Sequence, residues 1–289
     1  MKTKRKQEHQ APCCIALFNA KGVACASDTD DTIFKLSATK PVGIAINSLI
    51  NISWRPVIDH YLRQSKQEDL RNLRDFADDF VEFLNQFYET IAEKIPQKGC
   101  ETFLFGFNEL LLYPSIYCVV LKRGADGKIE TEIIMERDVT LDDIAFFMPL
   151  GEFDCTSPIL AGATDEFMDK AADDIAIQLE IYRGRLLKAA DGREEEDKLR
   201  NFFDNTDLKE MAKNIVTEKL SEVFQEIAQG IASFSIEEMV DSAETLINAE
   251  LRLDHLRKRK QIPVGFTKEI AVMTFPEGFT WLKHSVFAI

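Results

Sequence analysis

Basic residues are in short supply: 35 lysines and arginines face 49 aspartates and glutamates, leaving a formal net charge of −14 over 289 residues. A field of that sign repels nucleic acid and anionic lipid, so neither is expected as a partner. Long hydrophobic runs are missing too, and none approaches the roughly 18 residues a membrane-crossing helix requires. The first 12 residues, MKTKRKQEHQAP, are basic but lead into no signal-type apolar segment. The apolar stretch that follows, CCIALFNAKGVACA, is interrupted by Asn19, Lys21 and Gly22 and reads as a hairpin. A cytoplasmic location is therefore expected.

Histidine is scarce, with four copies (His9, His60, His255 and His284) that never fall at HxxxH or HExxH spacing. The six cysteines (Cys13, Cys14, Cys25, Cys100, Cys118 and Cys155) lie mostly within apolar, strand-like runs and have no paired spacing. That argues against a disulfide framework or a zinc site and for buried free thiols. Neither a glycine-rich phosphate loop nor a dinucleotide fingerprint occurs. No cofactor and no metal are expected. What the chain does have is apolar mass. Hydrophobic residues make up 45% of it, with 21 phenylalanines against five tyrosines and two tryptophans. That suffices for one large core or two modest ones.

Four short apolar runs come first: Cys13–Phe18, Val23–Ser27, Thr32–Ser37 and Pro41–Asn47. Packed so closely, they predict an antiparallel sheet whose first two strands are buried on both faces. Helices follow. Trp54, Val57, Ile58, Tyr61 and Leu62 repeat at the spacing of one buried helical face, with Ser53 as N-cap. A second helix is predicted over Leu73–Ala92, ended by Pro96. Strands return at Glu101–Phe107, Ser115–Lys122 and Lys128–Glu136. From about Asp165 to Leu253 the chain is acidic and helical in pattern, with Asp191–Lys198 read as an exposed loop. A capping box at Ser235–Glu238 opens a further helix. Two final strands, Glu269–Phe275 and Phe279–Lys283, flank Pro276-Glu277-Gly278. The order strands, helices, strands, helices, strands predicts an α+β fold in which two sheets stack with helices outside. A single domain over residues 13–289 is expected, behind a flexible basic leader of residues 1–12 and with a helical elaboration at about 165–253.

Four segments resemble the proteasome β-subunit superfamily, the N-terminal-nucleophile hydrolases. They are Gly22-Val23-Ala24-Cys25-Ala26-Ser27-Asp28; Ile33-Phe34-Lys35-Leu36 with Pro41-Val42-Gly43-Ile44-Ala45; Phe103-Leu104-Phe105-Gly106-Phe107 with Glu109 and Tyr113-Pro114-Ser115; and Val264 to Met273 with Gly278-Phe279-Thr280-Trp281. The last is similar to a "GGPIDVAVI…GF-W" pattern of uncharacterised bacterial proteasome-like proteins. The resemblance implies a four-layer αββα sandwich of two antiparallel sheets and assembly into a homo-oligomer or ring.

It also implies a chemistry that this sequence can be held against. In that family an N-terminal Thr, Ser or Cys attacks a carbonyl while its own α-amine takes the proton. Such an amine titrates near pH 8, whereas an amide nitrogen within a chain has no basic lone pair. A lysine on the third strand lowers the nucleophile's pKa, and a glycine amide after the fourth strand binds the oxyanion. Counted back from Asp28, which matches the pattern, the nucleophile position falls on Pro12. A shift of one or two residues brings Cys13 or Cys14 there. Thr32 stands in the lysine position, and Lys35, three residues on, faces the opposite way along the strand. Ser48 stands in the glycine position.

Three departures at four positions imply a non-catalytic subunit acting in assembly or binding. The alternative is a self-processing amide or peptide hydrolase with Cys13, less readily Cys14, as nucleophile and Asp28 beside it. Paired cysteines at the start of a buried strand are more often core. The basic run His255–Lys260 reads as a solvated helix end. Asp28, Asp30 and Asp31 read as a polar turn. The acidic helices of 165–253 form a surface on which a protein partner is expected.

Overall fold

The computed structural model describes residues 13–47, 52–108, 112–151, 165–192, 195–258 and 267–283, with the backbone alone at 165–168 and 253–258. Among the described residues ten strands form two five-stranded antiparallel sheets. The first takes the order β10-β9-β2-β1-β8 and joins β1 (Cys14–Asn19), β2 (Gly22–Ser27), β8 (Ala145–Leu150), β9 (Glu269–Thr274) and β10 (Gly278–Lys283). The second is β3 (Ile33–Lys35), β4 (Val42–Ile46), β5 (Cys100–Gly106), β6 (Ser115–Arg123) and β7 (Ile129–Asp138), adjacent in that order.

One core lies between the sheets. Cys14, Ala16 and Phe18 of β1, Cys25 of β2 and Met273 of β9 meet Ala45, Phe103, Phe105 and Ile116 of the second sheet. The alternate residues of β5 and β6, Leu104, Tyr117 and Val119, point the other way. There they bury the apolar faces of two helices, α1 (Trp54–Gln64) and α2 (Leu73–Phe87), whose Trp54, Tyr61, Phe76 and Phe80 complete a second core. Strand alternation thus serves two cores from one sheet, which is why β5 and β6 read as almost continuously apolar. The hairpin of β1 and β2 is covered on both faces as well, with every residue of both strands buried. Its outer face meets α7 (Ile236–Lys258). Gly22 permits the close approach of β9, because a Cβ there would lie 2.3 Å from the Met273 carbonyl oxygen.

Several local expectations are corrected. The helix expected to run unbroken over Leu73–Ala92 stops at Phe87. Tyr88 leaves helical geometry (φ −137°, ψ 44°), and a four-residue helix, α3 (Glu89–Ala92), follows. Tyr88 is drawn aside by a tertiary contact, its hydroxyl lying 3.1 Å from Nδ1 of His60. Ser53 precedes α1 but does not cap it, since its hydroxyl donates to Asp31 at 3.1 Å. β8, AFFMPL, was not anticipated. Its Pro149 speaks against a strand in sequence, yet β8 lies at the edge of its sheet, where a missing N–H is tolerated. The capping box of α7 forms as expected: Ser235 and Glu238 exchange side-chain-to-backbone bonds of 3.2 and 2.7 Å.

Contacts divide the chain into two compact units, one of residues 1–156 with 228–289 and one of residues 157–227. The smaller contains α4 (Asp165–Ala190), α5 (Glu196–Asp204) and most of α6 (Leu208–Ser233). α5 begins within the stretch expected as loop. In this unit Arg183 pairs with Asp204 at 3.0 Å and Lys209 with Asp173 at 2.9 Å. Among the described residues no helix is long and apolar enough to cross a membrane.

Candidate functional site

The chemistry-bearing residues of the larger unit gather where the chain leaves β2 and crosses to β3. Ser27 pairs with Cys14 on one side and Glu269 on the other. Directly opposed residues share a face, so Cys14, Ser27 and Glu269 form one row turned towards the second sheet. Cys13, one residue back, falls on the other face by alternation. It is nevertheless buried, with 1% of its surface exposed.

Asp28 opens the crossing and grips Cys13 twice. Its Oδ1 accepts the Cys13 backbone N–H at 2.8 Å, and its own N–H donates to the Cys13 carbonyl at 3.1 Å. Burial raises the Asp28 carboxyl to about 6 despite the bond from Cys13. Thr32 closes the crossing. Its hydroxyl meets that of Thr29 at 2.7 Å, and its N–H donates to Glu269 at 3.1 Å. Lys35 reaches outward to the Ala38 carbonyl at 3.3 Å. Ser48, expected in the oxyanion position, lies outside the described residues.

Two residues join the site that sequence reasoning did not single out. Glu269 is wholly buried and accepts the N–H groups of Asp31 (3.2 Å), Thr32 (3.1 Å) and Ile33 (2.9 Å). Burial raises it to about 7, against the lowering effect of those amides and of Arg55. Arg55, the second residue of α1, pairs with Asp31 at 2.9 Å and approaches Glu269 at 3.5 Å. A sequence signal for Glu269 existed, because an acidic residue stands at the matching place in the "GGPIDVAVI" pattern. Arg55 had none; it looks like any exposed residue of an amphipathic helix.

The electrostatics bear directly on the thiols. Cys14 is held well above the ordinary thiol range, first by burial and then by Cys25, Glu269, Asp28 and Cys13. Cys25 is raised by burial alone. A thiolate is the reactive form, so both are poor nucleophiles where they sit. Two of the three aspartates of the crossing diverge, Asp28 to Cys13 and Asp31 to Arg55 and Ser53. Among the described residues no three metal-ligating side chains converge. The five cysteines described are buried thiols, and Cys155 lies outside the described residues.

No protein-family model matches this chain, and no curated protein matches it in sequence. Among solved structures it is similar over most of its length to Anbu (ancestral beta-subunit) from Yersinia bercovieri. The TM-score is 0.42 and the identity 11%, covering 95% of this chain and 88% of that one. An Anbu mutant from Hyphomicrobium sp. strain MC1 is similar with a TM-score of 0.34 and 14% identity, over 53% of this chain and 66% of the other. At these values the similarity concerns the course of the chain and says nothing of chemistry.

Proposed function

We propose that this chain is a non-catalytic subunit of the proteasome β type, an αββα-layered domain that acts through assembly or binding. The observation that carries the reading is the sign of charge at the start of β1. Where the family's mechanism calls for a cation, this chain has neutral Thr32 with the Glu269 carboxylate bonded to its amide. Anions beside a thiol disfavour thiolate, so the surroundings of Cys14 act against a nucleophile. The nitrogen of Cys13 is an amide and donates to Asp28, which is the opposite of the acceptor a general base must be.

The reading is tested by intact mass and light scattering on the full chain. Retention of residues 1–12, an assembled state and no acylation by amide or peptide substrates are expected. A strict monomer overturns the assembly role. Loss of 12 residues with a new N-terminal cysteine overturns the inertness.

One observation favours the alternative. Cleavage before Cys13 would leave its α-amine where the N–H now stands, 2.8 Å from Asp28, already held in place. A hydrolase built this way would lose all activity in Cys13→Ala and most of it in Asp28→Asn. The helices of residues 165–253 are the second part of the proposal. Their acidic surface serves as a docking region for a protein partner, and a pull-down that survives neutralisation of its surface carboxylates refutes that role.

A further inference from the structure

The described helices within residues 157–227 leave apolar side chains in water that their own packing does not cover. Ile177 and Ile181 of α4 keep 56% and 43% of their surface exposed, and Met211 and Ile215 of α6 keep 42% and 36%. Within each pair the residues are four apart, so they stand one turn above each other on one helical face. Single exposed apolar residues are ordinary, but a stripe of them along a helix is normally turned inward.

The stripes line a furrow. A hollow of about 790 Å³ lies between α4 and the start of α6, lined by Ile177, Ile181 and Leu208. A second, of about 350 Å³, adjoins it at Thr206 and Asp207 and reaches past Met211 and Ile215 to Glu218. Its charge is mostly of one sign. Asp173, Glu180 and Asp207 border the first hollow, and Glu210 and Glu218 the second. Among the described residues the lining holds a single cation, Lys209, and Asp173 pairs with it at 2.9 Å. Arg183, one turn on from Glu180, divides between Glu180 at 3.5 Å and Asp204 at 3.0 Å. Asp207 accepts the N–H groups of Lys209 and Glu210 at 2.9 and 3.1 Å and so caps α6 while keeping its charge.

We propose that this furrow docks a basic amphipathic helix of a partner protein. Its apolar residues, at i and i+4, pack on Ile177, Ile181, Met211 and Ile215, and its lysines or arginines face Glu180, Glu210 and Glu218. Such docking rests on the reading of the acidic helices as a docking region, and gives that region a place and its partner a chemistry. Charge complementarity selects the occupant, since an apolar floor under acidic walls attracts cations and repels anions. The form of the furrow selects a helix. This unit is helical wherever it is described and offers no strand edge for strand addition. The i, i+4 ridges of α4 and α6 accept the ridge of a third helix between them. From Leu208 to Glu218 the α6 wall runs about 15 Å, the length of about three helical turns. A second copy of this chain fits less well, because it brings a net charge of −14 to a wall of the same sign.

Fluorescence anisotropy on the full chain tests this with a labelled synthetic peptide of about 18 residues, leucine at i and i+4 on one face and lysine on the other. One-to-one binding that weakens as salt rises is expected. A scrambled peptide of the same composition, lacking an apolar face, should bind about tenfold more weakly or worse. Ile177→Ser combined with Ile181→Ser should weaken the helical peptide about 30-fold. Both side chains are about half exposed, so that variant keeps its fold, which circular dichroism checks. Glu180→Gln combined with Glu210→Gln should lower affinity and flatten the salt dependence. No binding of the helical peptide overturns the furrow, as does equal binding of the scrambled one or undiminished binding to the isoleucine variant. Binding that survives the isoleucine changes but is lost when other carboxylates of residues 165–253 are neutralised overturns the furrow and leaves the docking region standing. If the peptide does not bind and the isoleucine variant instead alters the chain's own oligomeric state in light scattering, the occupant is a second copy and the basic helix is refuted.

Discussion

If the thiols of this chain are structural, they must be invisible to a thiol reagent until the fold opens, and the expected size of that effect follows from the site. Burial raises Cys100 and Cys118 to about 12. At pH of about 7.5 their thiolate fraction is about 3,000-fold below that of an ordinary thiol titrating near 8.5. Cys14 and Cys25 are raised well above their usual value, and 1% or less of each is exposed, as is the case for exposure at Cys13. Steric exclusion therefore adds to the missing thiolate. The assay is labelling with an aromatic disulfide in a Cys155→Ser background, so that the five buried thiols alone are probed. None of the five is expected to react in the native protein on the timescale of free cysteine, and all five are expected to react in guanidinium. One stoichiometric fast thiol in the native state, mapped to Cys13 or Cys14, would refute the reasoning and restore the hydrolase.

Other consequences of the same structure can be measured by denaturant unfolding. Asn19 is fully buried, and its amide donates to the Ile231 and Phe234 carbonyls at 2.9 and 3.1 Å, tying the β1–β2 hairpin to the turn between α6 and α7. Asn19→Ala should cost about 1–2 kcal/mol by removing both bonds, the Ile231 carbonyl keeping the Phe234 N–H and the Phe234 carbonyl keeping Lys21; a loss under 0.5 kcal/mol would show that the tie is not made. Gly106 has φ of +152°, and a Cβ there would sit 2.1 Å from the Pro41 carbonyl oxygen. Gly106→Ala should therefore cost about 2 kcal/mol or more, and a neutral result would refute the close approach. Asp28 titrates higher folded, about 6, than its ordinary 3.8. Its contribution is thus fully present below about pH 4 and lost as pH rises through 6, a change of about 3 kcal/mol. Asp28→Asn should flatten stability over that window, and an unaltered slope would place the titration elsewhere.

What was legible in the sequence was whatever one element decides within its own length. The apolar runs of β1 and β2 marked strands buried on both faces, those of β5 and β6 marked strands, and the 3.6-residue spacing of Trp54, Val57, Ile58 and Tyr61 marked the buried face of α1. The capping box at Ser235 set the start of α7, because its partners lie three residues apart. Asp28 and Cys13 entered together only through the family resemblance, in which the count back from Asp28 falls on Pro12; the register that bonds Asp28 to Cys13 belongs to the folded hairpin.

The remainder depended on residues far apart in the chain. Tyr88 breaks its helix for a bond to His60, and Ser53 gives up its cap for Asp31. Pro149 is allowed in β8 only because that strand took an edge. The character of the site was decided in the same way. Glu269 reaches amides 236 to 238 residues away in sequence. The sign of charge beside Cys14 therefore appears only once two sheets are stacked, since Coulomb forces follow distance in space and burial removes the water that would screen them.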